Sequence, residues 1–399
     1  MRRSRRRRRT GGLLFGVFAV LALAAPSGVA GVAGASCRDA APRTEADFGA
    51  PGSFPVGVRT IPFVDASRPT PPNGSFPGAP ERTLVTEIWY PAAAPGRDAP
   101  VDPSGGPYPV VIHSHGFLDS RLGEAYLTEH LASRGYVVAA IDYPLSRGGA
   151  PGGATVRDVG NQPGDWSFVL DGVLATFGGV ADAGRVAATG LSLGGLTSLL
   201  VTYDARLRDP RVRATVALAP PGCFLGSRFF GRTSTPLLVV HGDSDQIVPF
   251  REHALRVFAR ARGPRVLVEL EEGSHTGFSG FATLFDPSVH YDALGCAALG
   301  QDLGTPEENP LESLGGRREG YLFGVSERVC PLACPAGIPA GPSMQADRHH
   351  ALTRTAVTAF LEAALRGDDA ARCFLRRPFG ASAEDVRVRS HRLHRPIAP

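Results

Sequence analysis

Val186-Ala187-Ala188-Thr189-Gly190-Leu191-Ser192-Leu193-Gly194-Gly195-Leu196 is the stretch that decides how the rest of the chain is read. Its first half has the unbroken apolar character of a buried strand, and residues 193–203 follow at helical spacing. Between them, Gly190-Leu191-Ser192-Leu193-Gly194 fits Gly-x-Ser-x-Gly, in which the serine sits on a sharp strand-to-helix turn with its hydroxyl at the carboxyl edge of a sheet. Glycine serves at both ends because a Cβ there would meet the neighbouring strand or helix. Gly and Ser are common in this chain, so the pattern alone is more often an ordinary turn, and its surroundings must carry the reading.

Working outward, apolar runs alternate with helical patterns. Strands are expected at 56–63, 84–90, 109–113, 136–141, 185–190, 214–218, 236–241 and 265–270, and helices at 124–134, 165–177, 193–203 and 252–262. Near-continuous Val, Ile, Leu and Ala strands separated by amphipathic helices mean a mostly parallel sheet covered on both faces. The first two strands lack a helix between them and fit an antiparallel edge. The fold class is therefore α/β, with an eight-stranded sheet over residues 56–276. Residues 36–55 read as an extended lead-in. Residues 277–346 are Gly- and Pro-rich with little periodicity, which predicts a lid or an irregular, disulfide-pinned excursion. A helix within 347–376 completes the core, and 377–399 reads as a basic tail, frayed rather than a binding arm.

The 399 residues suffice for one large α/β domain with insertions, and Gly plus Pro, about a fifth of the chain, stays below the level of a disordered protein. The net charge is only +4, and several arginines fall in the first nine residues, so no basic stripe for nucleic acid remains. Those arginines, the apolar run 13–25 and Ala33-Gly34-Ala35 outline a secretory signal peptide over residues 1–35, too short for a comfortable membrane span. Cys37 follows soon after, but without the preceding leucine of a lipoprotein site. Export places six cysteines (Cys37, Cys223, Cys296, Cys330, Cys334, Cys373) in an oxidising compartment, where disulfides are the default. Six cysteines allow 15 pairings, and spacing does not choose among them. Their concentration after Ser192 makes the C-terminal part the stapled one.

Ligands of open α/β sheets bind at the carboxyl ends of the strands. Four groups fall there: His113-Ser114-His115-Gly116-Phe117, Ser192, Asp243-Ser244-Asp245 and His275. The motifs Gly-Leu-Ser-Leu-Gly-Gly, His-Gly-Asp-Ser-Asp-Gln-Ile-Val-Pro and Gly-Ser-His-Thr-Gly-Phe, in this order, resemble the α/β-hydrolase superfamily over residues 56–365. More narrowly, Val85-Thr86-Glu87-Ile88-Trp89-Tyr90-Pro91, the His-Ser-His-Gly block, and Asp158-Val159 with Asn161-Gln162-Pro163 and Asp165 resemble secreted esterases related to platelet-activating-factor acetylhydrolase and dienelactone hydrolase.

The resemblance implies a Ser192, His275, Asp245 triad, with Asp245 at the second aspartate of the family pattern and Asp243 as a turn residue. Chemistry asks for the same parts: a serine hydroxyl needs a base, and the base needs a carboxylate to hold its tautomer. By resemblance, the backbone N–H groups of Phe117 and Leu193 form the oxyanion hole. His113 and His115 position that loop rather than bind metal, and Phe117 and Phe278 line the substrate pocket, whereas Trp89 and Trp166 read as core. No cofactor or metal is required. The expected activity is a secreted serine carboxylic-ester hydrolase on short-chain esters or acetylated (phospho)lipids, with contact to a membrane or polymer surface. The rivals are a polyester or cutin-type hydrolase and a non-catalytic binding protein on the same fold. A prolyl-oligopeptidase-type peptidase is set aside because too little chain precedes the core for its propeller.

Overall fold

The computed structural model describes residues 37, 41–286, 288–302, 311–323, 330–331, 333–334 and 341–393; the expected signal peptide lies outside them. The strands are β1 (Val56–Asp65), β2 (Arg82–Pro91), β3 (Gly96–Arg97), β4 (Tyr108–Ser114), β5 (Val137–Ile141), β6 (Ala181–Leu191), β7 (Val212–Leu218), β8 (Leu237–Gly242), β9 (Arg265–Leu270) and β10 (Val386–His391). The helices are α1 (Glu45–Gly49), α2 (Ala125–Ser133), α3 (Gln162–Thr176), α4 (Leu193–Tyr203), α5 (Ala254–Arg260), α6 (Asp292–Asp302), α7 (Ala346–Leu365), α8 (Asp369–Phe374) and α9 (Pro378–Ser382).

All strands join one sheet in the order β10-β9-β8-β7-β6-β4-β5-β2-β1-β3. The centre, from β5 through β4, β6, β7 and β8 to β9, is parallel, and β1 and β2 form the antiparallel edge. The pleat sends alternate residues to opposite faces, and each face has its own cover. On one side Val111, Ala187, Val216 and Val268 pack with Leu127 of α2 and Leu352, Val357 and Phe360 of α7. On the other, Val110, Ile112, Ala139 and Ala188 pack with Trp166, Val169 and Val173 of α3, while Ala217 and Val239 meet Leu196 and Leu200 of α4 and Val257 of α5. Burial on both faces explains why these strands read as continuous apolar runs.

The eight expected strands all form, and two more join them. β3 is a two-residue pairing on β1. β10 overturns the frayed tail: residues 386–391 pair antiparallel with β9. Val386 turns inward and is buried, while Arg387 and Arg389 reach Glu269 across the strand pair. A short run carrying two arginines hides a period-two pattern that becomes favourable only with Glu269 on the neighbouring strand.

The lead-in is not merely extended. It contains α1, whose Phe48 packs on Phe374 of α8 with ring centroids 4.8 Å apart, and Cys37 is bonded to Cys373, so the bridges are not confined to the C-terminal part. The other disulfides are Cys223–Cys330 and Cys296–Cys334. The described part of 277–346 holds α6 and short 3-10 turns rather than irregular chain alone. Two glycines in α6 lower its intrinsic helicity, which concealed it. Gly295 lets that helix lie close, since a Cβ there would stand 2.4 Å from Ile247 Cδ1. No helix among the described residues is long and apolar enough to cross a membrane.

Candidate active site

Ser192 joins the carboxyl end of β6 to the start of α4 with φ 53° and ψ −115°, a left-handed backbone that a serine rarely adopts. The surrounding contacts over-determine it. Its N–H donates to Leu218 O on β7 (2.8 Å), and its carbonyl accepts Leu196 N–H (2.9 Å). A Cβ at Gly190 would lie 2.3 Å from Gly194 O, and one at Gly194 would lie 1.9 Å from Ser114 O. The two glycines therefore let β4, β6 and α4 close around one turn. α4 is buried along its whole length, and its Thr197 donates to Gln162 Oε1 at the head of α3.

Asp245 follows β8, and its short turn is held by its own carboxylate: Oδ1 accepts Ile247 N–H (2.9 Å) and Val248 N–H (2.6 Å). Its Oδ2 meets His275 Nδ1 at 2.7 Å and His241 Nε2 at 3.1 Å. Asp243 takes no part. Its Oδ1 accepts Glu272 N–H (2.8 Å), so it ties the loop after β9 to its own turn. Burial works against the Asp245 charge, but His275 and His241 outweigh it and hold the carboxyl well below the usual carboxylate range. Burial likewise opposes a charged His275 ring, yet the Asp245 carboxylate, its hydrogen bond and then Asp292 raise its pKa above the ordinary value. With Nδ1–H donating to Asp245, Nε2 is left as the ring's free acceptor.

The loop after β4 arches over Ser192: a Cβ built on Gly116 would lie 3.6 Å from Ser192 Cβ. His115 Nδ1 donates to Gly116 O (2.6 Å) and its Nε2 accepts Tyr143 N–H (3.2 Å), which commits both ring nitrogens. Leu118, with φ 65°, donates its N–H to Ser146 O. Below, His113 bridges Thr189 Oγ1 and Glu124 Oε2, both at 2.9 Å, and burial pushes its pKa down to about 4. Among the described residues, the N–H groups of Phe117 and Leu193 donate to no protein acceptor. Nor does any group of three or more His, Cys, Asp or Glu among those residues lie together as metal ligands would.

Ser192, His275 and Phe117 line one cavity of about 330 Å³, with Leu294 and Leu299 of α6 opposite. Phe278 does not line it. The 3-10 turn Thr276–Phe278 carries that ring into the core, edge-on to His349 of α7 at 4.3 Å, and Phe281 three residues later faces the cavity instead. Trp89 and Trp166 are core, and Cys223 is a disulfide partner. Sequence reasoning missed three groups at this site. His241 touches Asp245, Asp292 binds the loops of Asp245 and His275, and Asp119 enters the cavity wall with its Oδ2 accepting Ser279 Oγ–H (3.2 Å). Burial and then Glu124 push the Asp119 carboxyl up to about 7. The order His-Gly-Asp-Ser-Asp already held His241; nothing local marked the other two.

The sequence profile of a family described as PET hydrolase-like (PETase) matches residues 88–284. Over 147 residues the chain is 29% identical to Lipase 1 of Moraxella sp., covering 36% of this chain and 41% of that protein. Over 180 residues it is 28% identical to the bis(hydroxyethyl) terephthalate hydrolase of Streptomyces coelicolor, covering 44% and 53%. The chain thus spans about half the length, or less, of these curated relatives. Among solved structures, a ferulic acid esterase from Streptomyces cinnamoneus superposes with a TM-score of 0.52 at 25% identity, covering 82% of this chain and 93% of that one.

Proposed function

We propose, for a chain that belongs to the α/β-hydrolase superfamily, that it is a serine carboxylic-ester hydrolase working through an acyl-enzyme. The observation that carries this reading is the 2.7 Å bond from His275 Nδ1 to Asp245 Oδ2, with His275 facing the same cavity as the strained Ser192. Ser192 Oγ attacks the ester carbonyl carbon while its proton passes to His275 Nε2. The imidazolium then gives that proton to the departing alkoxide. A water activated by the same ring releases the acid and restores the serine. Asp245 holds the tautomer and offsets the imidazolium charge. The N–H groups of Phe117 and Leu193 receive the oxyanion; each such donor is worth about 10²–10³ in turnover. No step calls for a cofactor.

The cavity volume suits short acyl chains, including acetylated (phospho)lipids. A second reading, hydrolysis of aromatic esters or a polyester, is favoured by the PET hydrolase-like profile and by the terephthalate and ferulate in the relatives' names. Exposed Phe281 and Leu294 at the cavity suit an apolar polymer or lipid surface. Three disulfides are compatible with an extracellular protein, and export through the leader at residues 1–35 belongs to the same reading.

The test is Ser192→Ala with p-nitrophenyl butyrate and a fluorophosphonate probe. Wild type should turn over the ester and be labelled, and the variant should do neither while its circular dichroism is unchanged. Retained turnover would sink the assignment, and an unlabelled wild type would favour a non-catalytic binding protein. Comparing p-nitrophenyl butyrate, a short-chain phospholipid, a ferulate ester and polyester film separates the substrate readings.

A further inference from the structure

Asp292 stands beside the triad without belonging to it. It is the first residue of α6 and is fully buried. Its Oδ2 accepts the backbone N–H of His275 (3.1 Å) and of Gln246 (2.9 Å), and its Oδ1 accepts that of Thr276 (2.7 Å). One carboxylate therefore fastens the loop carrying the base, the loop carrying the acid, and a helix of the cavity wall. Burial and then the Asp245 charge raise the Asp292 pKa, while His275 and the N–H groups of Thr276 and Gln246 pull it back; an ionised carboxylate only accepts, so three N–H donors match that form, and charge-assisted bonds of this kind are the stronger class. Backbone donors also make the anchoring independent of the side chains at these positions.

The helix behind it is clamped to the same loops. Cys296 is bonded to Cys334, whose N–H donates to Gln246 O at 2.7 Å. Further along, Leu294, Ala298 and Leu299 face the cavity. The substrate wall and the loops of acid and base are thus tied together at a buried carboxylate on one helix.

We propose that Asp292 is a positioning residue for ester hydrolysis: it holds His275 and Asp245 in register with α6, and its negative charge favours the imidazolium formed when His275 takes the serine proton. The inference rests on the esterase reading above. The charged and titratable groups around His275 are Asp245 from the loop after β8, Asp292 from α6, His241 on β8 behind Asp245, His253 before α5, His349 on α7, and Asp119 from the loop after β4, which lines the same cavity with its carboxyl pushed up to about 7. His253 and His349 are held neutral by burial, each with its pKa pushed down to about 3. His290 Nδ1 accepts the Asp292 backbone N–H (3.2 Å). Of the groups that favour a charged His275, Asp245 is the partner already assigned, and Asp292 is the other.

The experiment compares full-length wild type, Asp292→Asn and Asp292→Glu, measuring kcat and KM for p-nitrophenyl butyrate against pH, fluorophosphonate labelling and thermal midpoint. A misplacement of the base on the order of 1 Å costs about 10²-fold, so Asp292→Asn should lower kcat by about ten- to a hundred-fold. It should also move the acid limb of kcat/KM to lower pH, because His275 loses a neighbour that favours its protonated form. Asp292→Glu keeps the charge and should restore the limb, with only partial recovery of kcat because the added methylene shifts both loops. A purely structural role would lower the thermal midpoint and the activity while leaving the limb in place, and that result overturns the proposal, as does a folded Asp292→Asn with kcat unchanged. If Asp292→Asn does not fold, Asp292→Glu decides: reduced kcat at an unchanged thermal midpoint supports positioning, whereas undiminished kcat, or a kcat that falls only together with the midpoint, refutes it. A wild type that is neither labelled nor active refutes the esterase reading and this inference with it, whereas an active, labelled wild type beside an unaffected variant refutes this inference alone.

Discussion

Replacing Gly194 with alanine tests the turn that presents Ser192. The added Cβ would lie 1.9 Å from Ser114 O, 2.4 Å from Ser114 C and 2.6 Å from His115 O. An ordinary C···O contact is about 3.3 Å, so roughly 1.4 Å of separation must be found. The atoms in the way are backbone of β4 and of the loop that covers Ser192, and they have no rotamer through which to retreat. Overpacking of this kind costs about 1–3 kcal/mol, and a shift on the order of 1 Å between Ser192 and its partners costs about 10²-fold in kcat/KM. Gly195 is the control, because a Cβ there would stand 3.0 Å from Leu218 O and 3.2 Å from Gly190 O, a conflict that small shifts relieve. Both residues lie in α4, where alanine is intrinsically favoured over glycine by about 1 kcal/mol. Close packing should reverse that sign strongly at 194 and weakly at 195. Urea midpoints followed by circular dichroism, together with p-nitrophenyl butyrate kinetics, separate the two contributions. A Gly194→Ala protein as stable and as active as Gly195→Ala would refute the steric account of the turn.

Two further predictions concern charge. In the proposed mechanism turnover needs a neutral His275 ring; burial opposes its charge, but Asp245 and then Asp292 raise its pKa above 6.5, so kcat/KM should fall with acidification through a midpoint above that value. A pH profile with its acid limb below 6.5 would contradict the electrostatic reading. Arg82, fully buried on β2, pairs with Asp165 at 2.6 and 2.7 Å and with Asp158 at 2.7 Å. Arg82→Met removes the buried cation between the two carboxylates, leaving Asp165 its pair with Arg68 at 2.8 Å and Asp158 its bond from Asn161, and should cost about 3–5 kcal/mol, read as a fall in the urea midpoint; a loss below about 1 kcal/mol would show that the network contributes little.

Much of this arrangement was legible in the chain. Period and composition placed the eight strands and the helices between them, because burial on both faces demands continuous apolar runs that no other layer would tolerate. Gly190, Ser192 and Gly194 announced the turn, and the second aspartate of His-Gly-Asp-Ser-Asp is the one whose carboxylate meets His275 Nδ1. Asp158 and Asp165, picked out only by resemblance, turned out to hold Arg82, a partner 76 and 83 residues away. Phe278 was misplaced because adjacency to His275 says nothing about which way a 3-10 turn faces.

What the sequence determined by itself is what local chemistry dictates: strand and helix periods, the glycines a tight turn requires, and the kinds of group a nucleophilic serine must be given. The tertiary structure decided everything that depends on two distant segments meeting. It chose the cysteine pairs, gave residues 386–391 the edge of β9 and its Glu269 to lie against, turned Phe281 rather than Phe278 toward the cavity, and brought Asp292 onto the backbone of both His275 and Gln246. Those partners are backbone N–H groups or residues tens to hundreds of positions away. A backbone donor is the same at every position, and a long loop costs little more to close than a shorter one, so neither leaves a mark in the local sequence.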